Sequence, residues 1–223
     1  MFPQERKTDY RPQLKRYVVS VEGGVTEREY FNRIKKLFWG RCNVTILGKR
    51  TESSPEDVVA HMEAFRGRLI EGDEKWCVID RDRWTPAQIS ILKDWVSGKD
   101  PITRSYAISN PKFELWLVAH FRDLPSSVFG CGQALKSYMP DYDKHIDEKK
   151  ITEESVLMAI SRGKNITPSG EPPESSYGTN VWVLVERMAQ KPEIVDMEQY
   201  ESELVSDEKQ PVQEEFELKM RGP

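Results

Sequence analysis

The sequence is poor in the features that define several large classes of protein. Its three cysteines, Cys42, Cys77 and Cys131, are far apart and odd in number, so neither a disulfide framework nor a CxxC zinc site is predicted. No stretch approaches the roughly 18 consecutive apolar residues of a membrane span, and the first residues lack the apolar region of a secretory signal. We therefore expect a cytoplasmic protein without membrane contact, in which Cys77 is a buried, inert thiol.

Motifs for nucleotide cofactors are also missing. Glu22-Gly23-Gly24 follows an apolar run but does not continue as GxGxxG. Gly48-Lys49-Arg50 and Gly163-Lys164-Asn165 lack the upstream glycine and the serine or threonine of a P-loop. A nicotinamide cofactor and a nucleotide-driven motor are therefore disfavoured.

A surplus of positive charge is absent as well. The net charge is −4, which argues against holding a polyanion through the overall field of the protein. The charge is uneven, however, because residues 1–15 form a basic N-terminal arm and residues 192–223 are strongly acidic. The acidic segment has few aromatics and little periodicity, and we expect it to be a mostly disordered tail.

Short apolar runs rich in β-branched residues recur through residues 16–122. They predict strands at Tyr17–Val21, Val44–Leu47, Trp76–Ile79 and Tyr106–Ile108. Each run is followed by a helical pattern, which gives the order βαβαβαβα. This order predicts an α/β domain with a parallel sheet and helices on both of its faces, because parallel neighbours need crossover connections.

Local signals mark where these helices begin. Thr26 and Glu29 have the spacing of a capping box, as do Thr85 and Gln88, and Ser54-Pro55 predicts the start of a helix that runs to about Leu69. A fourth helix follows Asn110-Pro111. Beyond it, helical patterns at 133–139, 153–162 and 180–188, with a loop at 167–178, predict a C-terminal helical appendage over residues 123–191.

Carboxylates follow the first and third predicted strands. Glu22 ends the first strand, and Asp80 and Asp82 end the third. If these strands are neighbours, as in a flavodoxin-like order, the three acids converge where ligands bind in open α/β sheets. Acids this close repel one another and would take up protons unless a cation joins them. Oxygen donors without cysteine or histidine favour Mg²⁺ or Mn²⁺ over zinc.

Each candidate residue also has an ordinary structural interpretation. Acids at strand ends can be solvated, and Glu27 and Glu114 can stabilise the first turns of their helices instead of binding metal. Asn110 is most simply a helix cap, and His120 either packs in an apolar helix or lies at the site. The basic residues that could contact phosphate are Lys49, Arg81, Arg83 and Lys112.

Several motifs together resemble the RloB family of Toprim-type proteins. They are Val21–Phe31, Asp80–Asp82, Ser109–Trp116 with His120-Phe121, and Asn180–Glu186. The similarity covers residues 16–122 and 177–190.

The resemblance implies a metal-dependent nuclease that hydrolyses phosphodiester bonds in DNA or RNA, with a role in bacterial anti-phage defence. It implies catalytic metal ligands at Glu22, Asp80 and Asp82. It also implies a further metal ligand at Glu27, by analogy with Toprim nucleases of the overcoming-lysogenisation-defect class. Additional site residues to consider are Glu114, Lys112 and His120.

Two other functions stay open at this point. Strand transfer is disfavoured, because the related topoisomerases and primases need further domains that 223 residues hardly accommodate. A non-catalytic nucleic-acid-binding or regulatory subunit of a defence or restriction complex is the main alternative. A protein partner in a defence system and a homo-oligomer are both compatible with the sequence.

Overall fold

The structure, a computed structural model, describes residues 14–48, 54–125 and 130–192. The strands are β1 Arg16–Val21, β2 Asn43–Leu47, β3 Glu74–Asp80, β4 Thr103–Asn110 and β5 Gly178–Thr179. The helices are α1 Thr26–Leu37, α2 Pro55–Glu63, α3 Pro86–Ser97, α4 Glu114–Ala119, α5 Cys131–Lys136, α6 Glu153–Ile166 and α7 Val181–Ala189, with a 3₁₀ turn at Glu148–Lys150. The acidic tail from residue 193 and the basic arm up to residue 13 lie outside the described residues.

Five strands form one sheet in the order β2-β1-β3-β4-β5. The first four are parallel, and β1 pairs with both β2 and β3. The predicted α/β fold class is therefore confirmed, and the first and third strands are neighbours, which is the condition under which we expect the acids to converge. The short β5, which pairs antiparallel with the end of β4, was not predicted, because two residues are too few to show a strand pattern.

Two apolar layers cover the sheet. One joins α1 and the helices α4 to α7 to side chains such as Val19 and Val78, and the other joins α2 and α3 to Val18, Cys77 and Ile79. The helices after α4 thus share a core with the sheet. Cys77 is fully buried and free, as predicted. No helix in the described ranges is long and apolar enough to cross a membrane.

The ends of α2 and α3 test the predicted caps. Ser54 and Thr85 cap their helices as predicted, and each forms a capping box, with Asp57 and Gln88 respectively. The predicted extent of α2 is wrong, because the helix ends at Glu63. The chain turns instead before β3, where the Asp73 carboxylate accepts hydrogen bonds from Ile70 N and Arg16 N.

Two other predicted caps are wrong. Thr26 is the first residue of α1, not its cap, and its hydroxyl donates to the carbonyl of Lys144 at 2.7 Å. Asn110 ends β4, and its amide donates to Pro173 O and Ser176 O. Each of these polar side chains therefore binds a different, distant loop, which its local sequence does not reveal.

Asn180 takes the place of a neighbouring strand along the outer edge of β4. Its Oδ1 accepts from Ile108 N at 2.7 Å, and its own N–H donates to Ile108 O at 3.2 Å. Its Nδ2 lies 3.3 Å from Tyr106 O and 3.2 Å from Gly170 O, and donates to both. The residue is 2% exposed, so these bonds satisfy backbone groups that water does not reach.

Replacing Asn180 with alanine should lower the free energy of unfolding by roughly 2 kcal/mol or more, because it leaves buried backbone groups without partners. Urea unfolding measures the change. Asn43→Ala, at an exposed asparagine, is the control and should change it by less than about 0.5 kcal/mol. Equal effects of the two substitutions would contradict the structural role of Asn180.

Candidate functional site

Glu22 ties the end of β1 to the end of β3. It is 3% exposed, and its Oε2 accepts a hydrogen bond from Asp80 N at 2.9 Å. Its Oε1 lies 3.3 Å from the Arg83 guanidinium. The parallel pairing of β1 with β3 therefore places the first predicted acid directly beside the second.

Asp80 and Asp82 diverge after β3. Asp80 Oδ1 accepts from Phe113 N at 2.7 Å, which joins β3 to the segment that follows β4. Asp82 is exposed at the rim, where its Oδ2 lies 3.1 Å from Lys112 Nζ. Asp80 thus faces inward among the other acids, while Asp82 forms an ion pair with Lys112 at the entrance.

Two more carboxylates reach the same place from helix starts. Glu27 is 6% exposed in the first turn of α1, and its side chain folds back over Gly23, where an added Cβ would lie 1.7 Å from Glu27 Oε2. Glu114 begins α4, and its Oε1 accepts from the Tyr142 hydroxyl at 2.8 Å. We call Glu22, Glu27, Asp80 and Glu114 the acidic cluster.

Burial disfavours the charged forms of Glu22, Glu27 and Asp80, and repulsion from neighbouring acids adds to this effect at Glu27 and Asp80. The pKa of Asp80 is raised well above its usual value by burial and then by the charges of Glu27, Glu22 and Glu114. The pKa of Glu27 is raised to about 7 by burial and then by Glu114 and Glu22. Burial also raises the pKa of Glu22, although Asp80 N–H and Arg83 oppose the shift. The four groups are therefore close enough to repel one another through poorly solvated surroundings.

A cleft of about 220 Å³ contains the acidic cluster. Its other charged residues are Asp82, Arg83, Lys112 and Lys144, and no histidine or cysteine lines it. Among the described residues, no three Asp, Glu, His or Cys side chains form a ready-made metal-binding group. The donors nevertheless suit a hard divalent cation, because the carboxylates adjoin one another and Asp80 Oδ1 is already fixed by a backbone N–H.

Most of the predicted site residues line this one cleft. They are Glu22, Glu27, Asp80, Asp82, Lys112 and Glu114. Arg81 instead donates to Glu174 O and Trp84 O, which holds its guanidinium in a structural role. Lys49 lies outside the described residues.

His120 is packed in the core and is not among the residues that line the cleft. It is 4% exposed, its Nδ1 lies 3.2 Å from Ser155 Oγ, and its ring packs edge-on against Tyr30 and Trp116. Burial, followed by the charge of Arg162, lowers its pKa to about 3. These contacts match the packed-histidine interpretation of its place in an apolar helix.

Sequence reasoning missed Tyr142 and Lys144. Tyr142 bonds Glu114 of the acidic cluster, and Lys144 lines the cleft. Both lie in a loop between α5 and α6 that contains no strand. Asp141 and Asp143 flank Tyr142 with the same spacing as Asp80 and Asp82, but neither of these described residues lines the cleft. No local signal could have assigned them, because only tertiary contacts bring this loop to α1.

Comparison with known proteins gives one family match. The family model described as RloB-like protein matches residues 17–188. No curated protein matches the chain, and no solved structure matches it either. The matched range includes every described residue that lines the cleft.

The buried state of His120 predicts how stability depends on pH. Its pKa of about 3 in the folded protein lies below the ordinary 6.5, so its contribution is present above about pH 6.5 and is lost as the pH falls and the unfolded chain takes up the proton. Relative to His120→Gln, the wild type should lose stability more steeply below pH 6.5, by up to about 1.4 kcal/mol per pH unit.

Urea unfolding across this pH range measures both slopes. His145→Gln is the contrast, because the neighbouring Glu29 raises the pKa of the exposed His145 and removing it should not flatten the curve. Parallel curves for wild type and His120→Gln would mean that His120 is not held neutral in the fold.

Proposed function

The chain belongs to the RloB-like protein family, and on that basis we propose that its acidic cleft is the active site of a metal-dependent nuclease. The reaction is hydrolysis of phosphodiester bonds in DNA or RNA, and the biological setting is anti-phage defence, as the sequence resemblance to Toprim-type proteins implies. The observation that carries the proposal is the acidic cluster. Its four carboxylates, which come from two strand ends and two helix starts, repel one another and are costly to fold unless a cation offsets their charge.

Glu22, Glu27 and Asp80 are the residues that would hold Mg²⁺ or Mn²⁺, with Asp82 at the rim as a further ligand. When bound, such an ion polarises the phosphoryl group, lowers the pKa of a water and stabilises the leaving oxygen. The protein itself fixes the donors, since Asp80 N–H orients Glu22 and Phe113 N–H orients Asp80. Oxygen ligands without sulfur or imidazole support the choice of a hard cation.

The rim of the cleft supplies positive charge for a polyanion. Lys112 is paired with Asp82, and Arg83 with Glu22, and both cations are about half exposed. A phosphate that enters the cleft would meet these two side chains first. Local cations thus support binding of nucleic acid by a protein whose net charge is −4.

A non-catalytic binding or regulatory subunit is the second candidate, and one observation favours it. Among the described residues, the carboxylates do not form a ready-made metal-binding group. We would expect the same result if these acids had only a structural role. Incubating the purified protein with plasmid, single-stranded DNA and bulk tRNA separates the two candidates. Cleavage with Mg²⁺ or Mn²⁺ that chelator abolishes supports the nuclease, and no cleavage of any substrate supports the subunit.

Asp80→Asn should reduce metal-dependent cleavage by at least about 100-fold, because it removes a charge that the cation needs while keeping the side chain's shape. In metal-free buffer its melting temperature should equal or exceed that of the wild type, since one repelling charge is gone. The rise in melting temperature that divalent metal gives the wild type should be lost. Asp94→Asn, at an exposed position in α3, is the control, and an Asp80→Asn variant with wild-type turnover would refute the assignment.

Gly23→Ala should weaken metal binding without unfolding the protein. The new Cβ would displace the Glu27 carboxylate, and that flexible end can move while α1 stays in place. The metal-induced rise in melting temperature should therefore shrink. Gly132→Ala, where an added Cβ meets nothing within 4 Å, is the matched control. A full metal response in Gly23→Ala would mean that Glu27 is not a ligand.

A further inference from the structure

The loop between α5 and α6 contributes Lys144 to the lining of the acidic cleft and is bound to α1 at several points. Thr26 Oγ1 donates to Lys144 O at 2.7 Å, and Ile146 N donates to Glu29 Oε2 at 2.9 Å. The Tyr142 hydroxyl reaches Glu114 of the acidic cluster at 2.8 Å. The side chains of Tyr142 and Ile146 are buried, so the loop is held from both sides of Lys144.

Lys144 has a costly backbone conformation. Its φ is +94°, and it is the one non-glycine residue with positive φ among those that the structure describes. A side chain with a Cβ is unfavourable in this region by about 1 kcal/mol or more, and such residues concentrate at functional sites. Glycine would fit the backbone better, so a lysine in this conformation points to a use for its side chain.

The position of the side chain indicates what that use is. Lys144 is exposed and lines the cleft, and its charge lowers the pKa of Glu27, so its ammonium group lies near the acidic cluster. The other cations of the cleft, Lys112 and Arg83, come from the segments after β4 and β3. Lys144 comes from a third segment, the loop between α5 and α6.

We propose that Lys144 binds a phosphate group of the nucleic acid substrate beside the metal ligands, held there by the loop's hydrogen bonds to α1. The inference rests on the proposed function, since it names how that site recognises its substrate. A lysine supplies a compact cation with three donors, which suits a phosphate oxygen. The alternative is that Lys144 only offsets the charge of the acids, a role that a bound divalent cation would make redundant.

Binding without cleavage distinguishes these roles. The probe is a short fluorescein-labelled single-stranded DNA, whose anisotropy is followed in saturating Ca²⁺ at low ionic strength, with an RNA of the same sequence in parallel. Lys144→Met should weaken binding by about tenfold or more, the effect of losing a charge-assisted hydrogen bond. Lys144→Arg should keep most of the affinity. Lys149→Met, at an exposed lysine of the neighbouring 3₁₀ turn, should match the wild type.

Lys144→Gly separates function from folding. It should raise the melting temperature by roughly 2–4 °C, because glycine relieves the positive φ, and it should still lose about tenfold in affinity. Unchanged affinity of Lys144→Met and Lys144→Gly in Ca²⁺ would overturn the proposal, as would a wild type that binds neither probe. A wild type that binds in a Lys144-dependent way but cleaves nothing with Mg²⁺ would instead refute the nuclease and leave phosphate binding in place.

Discussion

The parallel pairing of β1 with β3 is the constraint on which the site depends. It brings Glu22 and Asp80, 58 residues apart in the chain, into direct contact through one hydrogen bond. Once these two strands are neighbours, the residues after each strand share one edge of the sheet, and α1 and α4 start there as well. The acidic cluster is therefore a product of topology, assembled from two strand ends and two helix starts.

In the same arrangement, the charges of the acidic cluster oppose folding. Burial and then repulsion oppose ionisation of Asp80 and Glu27, although the nearby charge of Lys144 lowers the pKa of Glu27. The backbone N–H groups of Asp80 and Phe113 hold the carboxylates of Glu22 and Asp80 in position. The positions of these two side chains therefore do not depend on a cation that neutralises their charge. The cluster holds unfavourable electrostatic energy that a bound cation would offset.

The sequence was sufficient for the four parallel strands of the sheet and for the acids at their ends. β-branched runs that alternate with helical patterns are local signals, and they located β1 to β4, α1 to α4 and the convergence of Glu22 with Asp80. Tertiary contacts decided the rest. Thr26 has the spacing of a capping box but bonds the Lys144 carbonyl, and Asn110 has the features of a cap but bonds the loop before β5. No local sequence pattern assigns Tyr142 and Lys144 to the site, because their partners lie on α1 and α4.

The attachment of the α5–α6 loop to α1 has a consequence for the order in which the protein is made. Thr26 and Glu29 bond residues 117 to 118 positions further along the chain, and Arg33 of the same helix donates to Ile151 O. The helices after α4 share a core with the sheet, and a domain generally folds as one unit, so the site is not complete until these later residues have been synthesised. The hydrogen bonds that hold Lys144 and its loop to α1 can form only after residue 146 has left the ribosome. A nascent chain therefore contains the acids before it contains this loop. The activity we propose would begin only after residues 144–146 have been made.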